Sequence, residues 1–395
     1  MERFSDLEKK YVLEVLENGF RSSRNNVFTG RLEEGFARMF NRKFALSFCN
    51  GTATMHTALA ALGVKPGDEV IVPPLTMSSP AIAVLHNRSI PVFADVDRKT
   101  FNISPESIFA NITKKTRAVI TVALYGLAPD YDKILKICKE RNLFLIEDNA
   151  QAFLSKYKGK LVGEFGDFAS FSFQASKHIT SGEGGMLVTD IEEFADRARR
   201  FASLGYANIS AKKGRVSRQD IQDPNFDRHA ILGYNYRISE LQSACALGQI
   251  ERAEELVAVR INAAKTFDKI VREVDWLVPQ AEPNGYRNSY WAYSVVLEVK
   301  NPETKWYRFR DLFVKNKGDG IYAAWKMTYQ EPLFLNEVRN YPGIRQKYHG
   351  KLCPTAEYLQ KRMLQFKTNY WEPGEAERQA EVLRKTIQDF PRLYL

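Results

Sequence analysis

RAVITVALYGLAPDYDKILKICKERNLFLIEDNA, residues Arg117 to Ala150, reads as an apolar strand, a short turn, an amphipathic helix and a second apolar strand that closes on two carboxylates. A strand, a helix and a further buried strand form a right-handed crossover, because a right-twisted strand feeding a helix packs back onto its sheet in that hand. The unit therefore predicts a parallel sheet with helices on its faces. The same alternation runs upstream. Lys43 to Phe48 is a short apolar strand, Asn50-Gly51-Thr52 a small-residue turn, and TATMHTALAAL a helix; after a turn at Lys65–Asp68 come the strand EVIVP, the helix SSPAIAVLH and the strand PVFADV.

Downstream the pattern changes. FASFSF, SKHITSGEGG and MLVTD read as strand, glycine-rich loop and strand, with no room for a crossover helix, which predicts antiparallel pairing. A long helical stretch from Ile238 to Val271 is expected to carry the chain out of the first unit. YWAYSVVLEV and the helix GEAERQAEVLRKTIQDF then predict a smaller α+β unit. The expected division is an α/β unit of residues 1–255 and a C-terminal unit of residues 256–395, with residues 1–20 packing on the smaller one.

The 395 residues suffice for two domains at roughly 100–200 residues each. A composition of 44% hydrophobic, 12% aromatic and 26% charged residues excludes a disordered, collagenous or coiled-coil chain. The first twenty residues carry charges in every apolar stretch, and no run approaches the ~18 apolar residues of a membrane span. A soluble, unexported, cytoplasmic protein with no membrane partner is expected. Cys49, Cys138, Cys245 and Cys353 lie far apart with no CxxC pair, so reduced, mostly buried thiols are expected, with no metal site. The net charge of +10 is spread along the chain apart from AKKGRVSRQD, from Ala211. It suits an anionic small substrate, and no nucleic-acid-binding motif accompanies it.

Four places could carry chemistry. Asn50-Gly51-Thr52 at a strand-to-helix turn offers backbone N–H groups and a hydroxyl to a phosphate, or is an ordinary helix cap. Asp148 ends a strand where open α/β sheets place ligands; with Gln151 it would meet a ring N–H⁺ and a ring oxygen, or it caps the following segment. Lys177, between FASFSF and Ser181-Gly182-Glu183-Gly184-Gly185, is either a Schiff-base lysine or a surface lysine on a loop. His178, directly after it, faces a neighbouring loop or the cleft.

Asn50-Gly51-Thr52, Glu147-Asp148-Asn149-Ala150-Gln151, Ser172-Phe173-Gln174-Ala175-Ser176-Lys177, Gly182-Glu183-Gly184-Gly185 and Gly233-Tyr234-Asn235-Tyr236-Arg237 occur in this order. With Cys353-Pro354-Thr355-Ala356-Glu357, the series resembles the DegT/StrS-type sugar aminotransferases over residues 10 to 395. The resemblance implies a fold-type I pyridoxal-phosphate enzyme, with a mostly parallel sheet of the seven-stranded type in the larger unit. It implies that Lys177 holds the cofactor and acts as the general acid and base, that Asp148 keeps the ring nitrogen protonated, and that Gln151 bonds the ring's phenolic oxygen. Gly51, Thr52 and Ser172 would hold the phosphate. Asn235 would reach it from the neighbouring subunit of a homodimer, and Arg237 would meet a donor carboxylate. After Pro73-Pro74-Leu75-Thr76 the family commonly has an aromatic residue that stacks on the ring, where this chain has Met77, whose thioether can also pack on a ring face.

The implied activity is transfer of an amino group from glutamate or glutamine to a keto-sugar on a nucleotide diphosphate. Substrate contacts are expected from His178, Glu183, Arg237, Trp325 and Lys326. The alternatives are a free keto-cyclitol acceptor and a non-catalytic sensor; retention of Lys177, Asp148, Gln151 and Asn235 together speaks against the sensor. The presence of Lys177 favours transamination over the dehydratases of the family, where histidine replaces that lysine.

Overall fold

The computed structural model describes residues 2–20, 27–214, 216–338, 348 and 351–394. The basic stretch from Ala211 is described except for Arg215. Its strands are β1 (Phe44–Phe48), β2 (Glu69–Val72), β3 (Ile90–Phe93), β4 (Thr116–Val122), β5 (Phe144–Asp148), β6 (Lys156–Tyr157), β7 (Lys160–Leu161), β8 (Phe168–Ser172), β9 (Gly185–Thr189), β10 (Leu277–Pro279), β11 (Tyr286–Arg287), β12 (Ala292–Leu297), β13 (Tyr322–Ala323) and β14 (Met363–Lys367).

Seven of them form one sheet in the order β1-β9-β8-β5-β4-β2-β3. All pairs from β8 to β3 are parallel, and β9 alone runs against its neighbours β1 and β8. The reversal falls where the sequence leaves no crossover helix. Side chains alternate across the central strands. Ile120 and Ile146 enter a core with Met55 and Leu59 of the helix Gly51–Ala61, whereas Val119 and Leu145 enter one with Ile134 and Cys138 of the helix Tyr131–Arg141. Burial on both faces explains why these strands read as continuous apolar runs.

The expected helical stretch from Ile238 is two helices, Glu240–Glu251 and Ala253–Val271, broken at Arg252. The second joins two cores. Leu256 and Val257 pack with Leu32 and Phe36, while Ala264 and Phe267 pack with Val295, Phe366 and Leu383. An antiparallel sheet, β10-β12-β14-β13, completes the C-terminal half under the helices Ala253–Val271 and Glu375–Tyr394. The halves interlock, since β11 pairs with β6 of the first half and Tyr329, Phe334 and Tyr348 pack on Phe93.

Residues 1–20 take a different place from the one expected. The helix Asp6–Glu17 lies on the helix Glu240–Glu251, where buried Glu8 receives Gln249 and pairs with Arg252 at 3.0 Å. Ahead of that helix, Arg3 reaches the C-terminal half, over the Trp371 ring. The four cysteines are free; Cys138 and Cys353 are buried, and Cys49 and Cys245 are partly exposed. Among the described residues no helix is long and apolar enough to cross a membrane.

Candidate active site

The C-terminal ends of β4 and β5, the loop that carries Lys177 and the segment around Trp291 meet at one place, the candidate cleft. Asp148, the last residue of β5, is 5% exposed, and Oδ1 accepts the Ala150 N–H at 3.0 Å. It caps a turn and no helix follows, so the capping alternative reduces to that single bond. Desolvation pushes its carboxyl up to about 6, while the Ala150 N–H and Lys177 act to lower it. Gln151 is buried beside it, and its Oε1 accepts the Tyr125 N–H at 2.9 Å. The side-chain NH₂ of Gln151 remains to donate into the cleft.

Tyr125 ends the β4 side of the cleft in a left-handed conformation, φ 58°. Gly126 follows at φ 109°, and a Cβ there would stand 2.3 Å from the Tyr290 backbone nitrogen. Glycine is required by both the conformation and the approach. Chain segment 289–291 is thereby pressed against the cleft, which brings Trp291 and Trp325 into a stack with Tyr125, with centroids 5.8–6.4 Å apart and planes within 17°.

Lys177 lies on the loop between β8 and β9. Its Nζ stands 4.8 Å from the centre of the Trp291 ring. Desolvation lowers its pKa to about 8; Asp148 and Glu183 oppose the shift and Arg260 adds to it. The carbonyl oxygens of the loop are held by side chains from elsewhere in the chain. Ser176 O accepts from Trp291 Nε1 at 3.0 Å and Arg260 Nη2 at 2.8 Å, Lys177 O accepts from Arg260 at 3.1 Å and Arg3 at 3.4 Å, and Ala175 O accepts from Arg3.

The helix Gly51–Ala61 starts beside this loop. Asn50 caps it by accepting the Ala53 N–H at 2.8 Å, which leaves the N–H groups of Gly51 and Thr52 without intrahelical acceptors. A Cβ on Gly51 would lie 3.1 Å from Ser172 Cβ, so the glycine allows the helix end, Thr52 and the Ser172 hydroxyl to converge. With the helix dipole, the N–H groups of Gly51 and Thr52 and the Ser172 hydroxyl can cradle an anion, while the Thr52 hydroxyl donates to Ser79 Oγ at 3.1 Å.

The other expected residues divide. Met77 is 52% exposed, with its thioether free to meet a ligand. Trp325 is in the aromatic stack, Lys326 is exposed, and Glu183 is exposed but within electrostatic reach of Lys177. His178 is corrected from a substrate contact to a packed residue. Its ring is buried, Nε2 donates to Ser289 O at 2.9 Å, and burial with Arg260 nearby keeps it neutral. Asn235 and Arg237 stand on an exposed loop, Asn235 in an isolated bridge with Ser203, and neither is brought to this chain's own Lys177 by any hydrogen bond among the described residues. Leu232, 86% exposed, and Ile231 lie on that loop, beside a cavity of about 880 Å³ lined by Arg199, Tyr206, Arg228 and Arg237.

Sequence reasoning missed Tyr125, Trp291, Arg260 and Arg3. Tyr125 follows a parallel strand, the same signal that marked Asp148. Arg260 sits in an amphipathic helix, and Trp291 opens a strand read only for its apolar pattern; neither carries a local mark.

The sheet order, the reversed strand, the buried carboxylate and the lysine on the β8–β9 loop are those of a fold-type I aminotransferase. The chain belongs to the DegT/DnrJ/EryC1/StrS aminotransferase family, whose model matches residues 3–379. It is 38% identical over 352 residues to the GDP-perosamine synthase of Escherichia coli O157:H7, covering 89% of this chain and 87% of that protein. It is 32% identical over 369 residues to a putative L-glutamine:3-amino-2,3-dideoxy-scyllo-inosose aminotransferase of Streptoalloteichus tenebrarius, covering 90% and 84%. The crystal structure of an aminotransferase from Psychrobacter cryohalolentis superposes with a TM-score of 0.86 at 26% identity, covering 98% of each chain.

Proposed function

We propose that this sugar aminotransferase uses pyridoxal 5'-phosphate to move an amino group from glutamate or glutamine to a keto-sugar on a nucleoside diphosphate, as a cytoplasmic homodimer. The observation that carries the reading is Asp148, a buried carboxylate to which no cation bonds among the described residues, within electrostatic reach of a desolvated lysine and beside an anion cradle. The cofactor, when bound, supplies the electron sink for the carbanion at the donor carbon. Asp148 fits a ring N–H⁺, which would return to it the partner that burial denies. The Gln151 amide would donate to the ring's phenolic oxygen, while Gly51, Thr52 and Ser172 would hold the phosphate. Met77 would cover a ring face.

Lys177 carries the proton. A pKa near 8 leaves a useful fraction of neutral amine at physiological pH, as a nucleophile and proton carrier requires. The stacked Tyr125, Trp325 and Trp291 form an apolar wall on which a sugar ring can rest, and Lys326 stands beside it for a phosphate. Asn235 and Arg237 would act in the neighbouring subunit; their exposure and that of Leu232 support a shared site. Residues 1–255 would then be the cofactor-binding unit and residues 256–395 the smaller one.

The GDP-perosamine synthase likeness favours a GDP-linked keto-sugar as acceptor, and the scyllo-inosose aminotransferase likeness keeps a free keto-cyclitol as the second reading. Steady-state kinetics with both acceptor classes test the choice: turnover with the free ketone alone would reject the nucleotide-linked reading. Lys177→Ala is expected to abolish the absorbance band of bound cofactor and all amino transfer; an unchanged band would remove Lys177 from its role.

A further inference from the structure

We propose that Arg260 is a positioning residue for the reaction: from the helix Ala253–Val271 its guanidinium grips the carbonyl oxygens on both sides of the Lys177 Cα and fixes where the Lys177 amine stands. The proposal rests on the reading of Lys177 as the cofactor-bearing lysine. Arg260 is 1% exposed, the bulkiest fully buried side chain among the described residues. Its fork serves four acceptors on three segments: Ser176 O at 2.8 Å and Lys177 O at 3.1 Å through Nη2, and Trp291 O at 3.0 Å and Thr368 Oγ1 at 3.3 Å through Nη1.

Among the described residues no carboxylate bonds to Arg260, so neutral oxygens alone offset the desolvation of this cation. A buried charge held in that way is costly, and a hydrophobic residue would fill the volume at lower cost. What the guanidinium does that an apolar chain cannot is to tie the lysine loop to the entry of β12 and to the exit of β14, so that the C-terminal sheet sets the place of Lys177. Arg3 and Trp291 complete the grip. Arg3 reaches Ala175 O and Lys177 O from the N-terminal segment, and the Trp291 indole donates to Ser176 O while its ring faces Lys177 Nζ.

The same guanidinium has an electrostatic effect. The charged groups facing Lys177 are Asp148 at the end of β5 and Glu183 in the glycine loop, which favour its protonated form, and Arg260, which disfavours it; neighbouring His178 is neutral. Burial and Arg3 pull the pKa of Arg260 itself down to about 9, still above neutrality, so the opposition persists where the enzyme works.

The full-length chain without added cofactor provides the test, in Arg260→Met and Arg260→Lys variants. Labelling of Lys177 by trinitrobenzenesulfonate, followed by peptide mass spectrometry across pH, reads the fraction of neutral amine. Arg260→Met is expected to cut labelling at about pH 8 by roughly threefold to tenfold, because the opposing charge is gone. Arg260→Lys is read by hydrogen exchange instead, because the burial that lowers a guanidinium lowers an ammonium as well, and a point-charge group cannot serve four acceptors. Its peptides spanning residues 174–180 are expected to exchange hydrogen about tenfold faster than in the parent, with the helix Ala253–Val271 unchanged. A folded Arg260→Met with the parent's labelling profile overturns the proposal. If Arg260→Met does not fold, parent-like exchange of residues 174–180 in Arg260→Lys overturns it. Failure of the reading beneath is separate, since it appears as a parent chain that labels normally and yet binds no pyridoxal phosphate.

Discussion

Replacing Asp148 by asparagine keeps the shape of the side chain and removes its charge. In the folded chain without cofactor, burial raises this carboxyl from 3.8 to about 6. A difference of about two pH units corresponds to ~3 kcal/mol of folding free energy. The direction follows from the raised folded value: the contribution is fully present below about pH 4 and is lost as pH rises through about 6. Asparagine incurs no such loss. Part of the gain is cancelled, because Asp148 also supports the proton on Lys177, whose burial cost grows when the carboxylate goes. The net expectation for Asp148→Asn without cofactor is a stability advantage that grows by ~1–2 kcal/mol between about pH 4.5 and about pH 7.5. Urea denaturation of both proteins at the two pH values measures it through the midpoint at constant slope. With cofactor bound the order is expected to reverse, and the donor half-reaction of the variant to slow by roughly a thousandfold or more, because the proposed partner of the ring nitrogen would be gone. A stability difference independent of pH, or one that shrinks as pH rises, would refute the account of Asp148 as a carboxylate kept for a cationic ligand.

Gly51→Ala pushes a methyl group to 3.1 Å from Ser172 Cβ at the mouth of the anion cradle. We expect pyridoxal phosphate to bind about tenfold more weakly, ~1.4 kcal/mol by titration, and inorganic phosphate to lose its competition in parallel. Glu147→Gln is expected to cost ~2–4 kcal/mol in denaturant midpoint, because Glu147 is buried and accepts the N–H groups of Gly163, Phe165 and Gly166 at 2.7–2.8 Å beside Arg42. Gly126→Ala should lower stability by ~3 kcal/mol or more and change tryptophan fluorescence, since its Cβ would collide with Tyr290 and dislodge the stack of Tyr125 with Trp291; a parent-like melt would show that the segment yields freely.

The parallel sheet was legible because strands buried on both faces leave uninterrupted apolar runs, and the missing crossover helix between FASFSF and MLVTD marked the one reversed strand. Asp148, Gln151 and Lys177 could be singled out as candidates because they sit at strand ends and beside a glycine-rich loop, and the structure puts Lys177 within electrostatic reach of Asp148. Gly51 and Ser172, far apart in sequence, could be joined only through the resemblance. Of the two places read for His178, its ring takes the neighbouring loop, where Nε2 meets the Ser289 carbonyl 111 residues away, and the substrate contact expected of it could not be judged from the residue beside it in sequence. Arg260, Trp291 and Arg3 act on the lysine loop through backbone oxygens, and a carbonyl leaves no trace in the choice of side chain. The break at Arg252 was hidden because the apolar pattern continues across it on both helices.

The central claim is that this cleft performs amino transfer through a cofactor held by Lys177. Its most direct test is the absorbance spectrum of the purified protein with pyridoxal phosphate, before and after addition of glutamate or glutamine and with no acceptor present. A yellow band that bleaches on addition of the donor is the predicted result. A band that ignores every amino donor, or a chain that binds no cofactor at all, would contradict it.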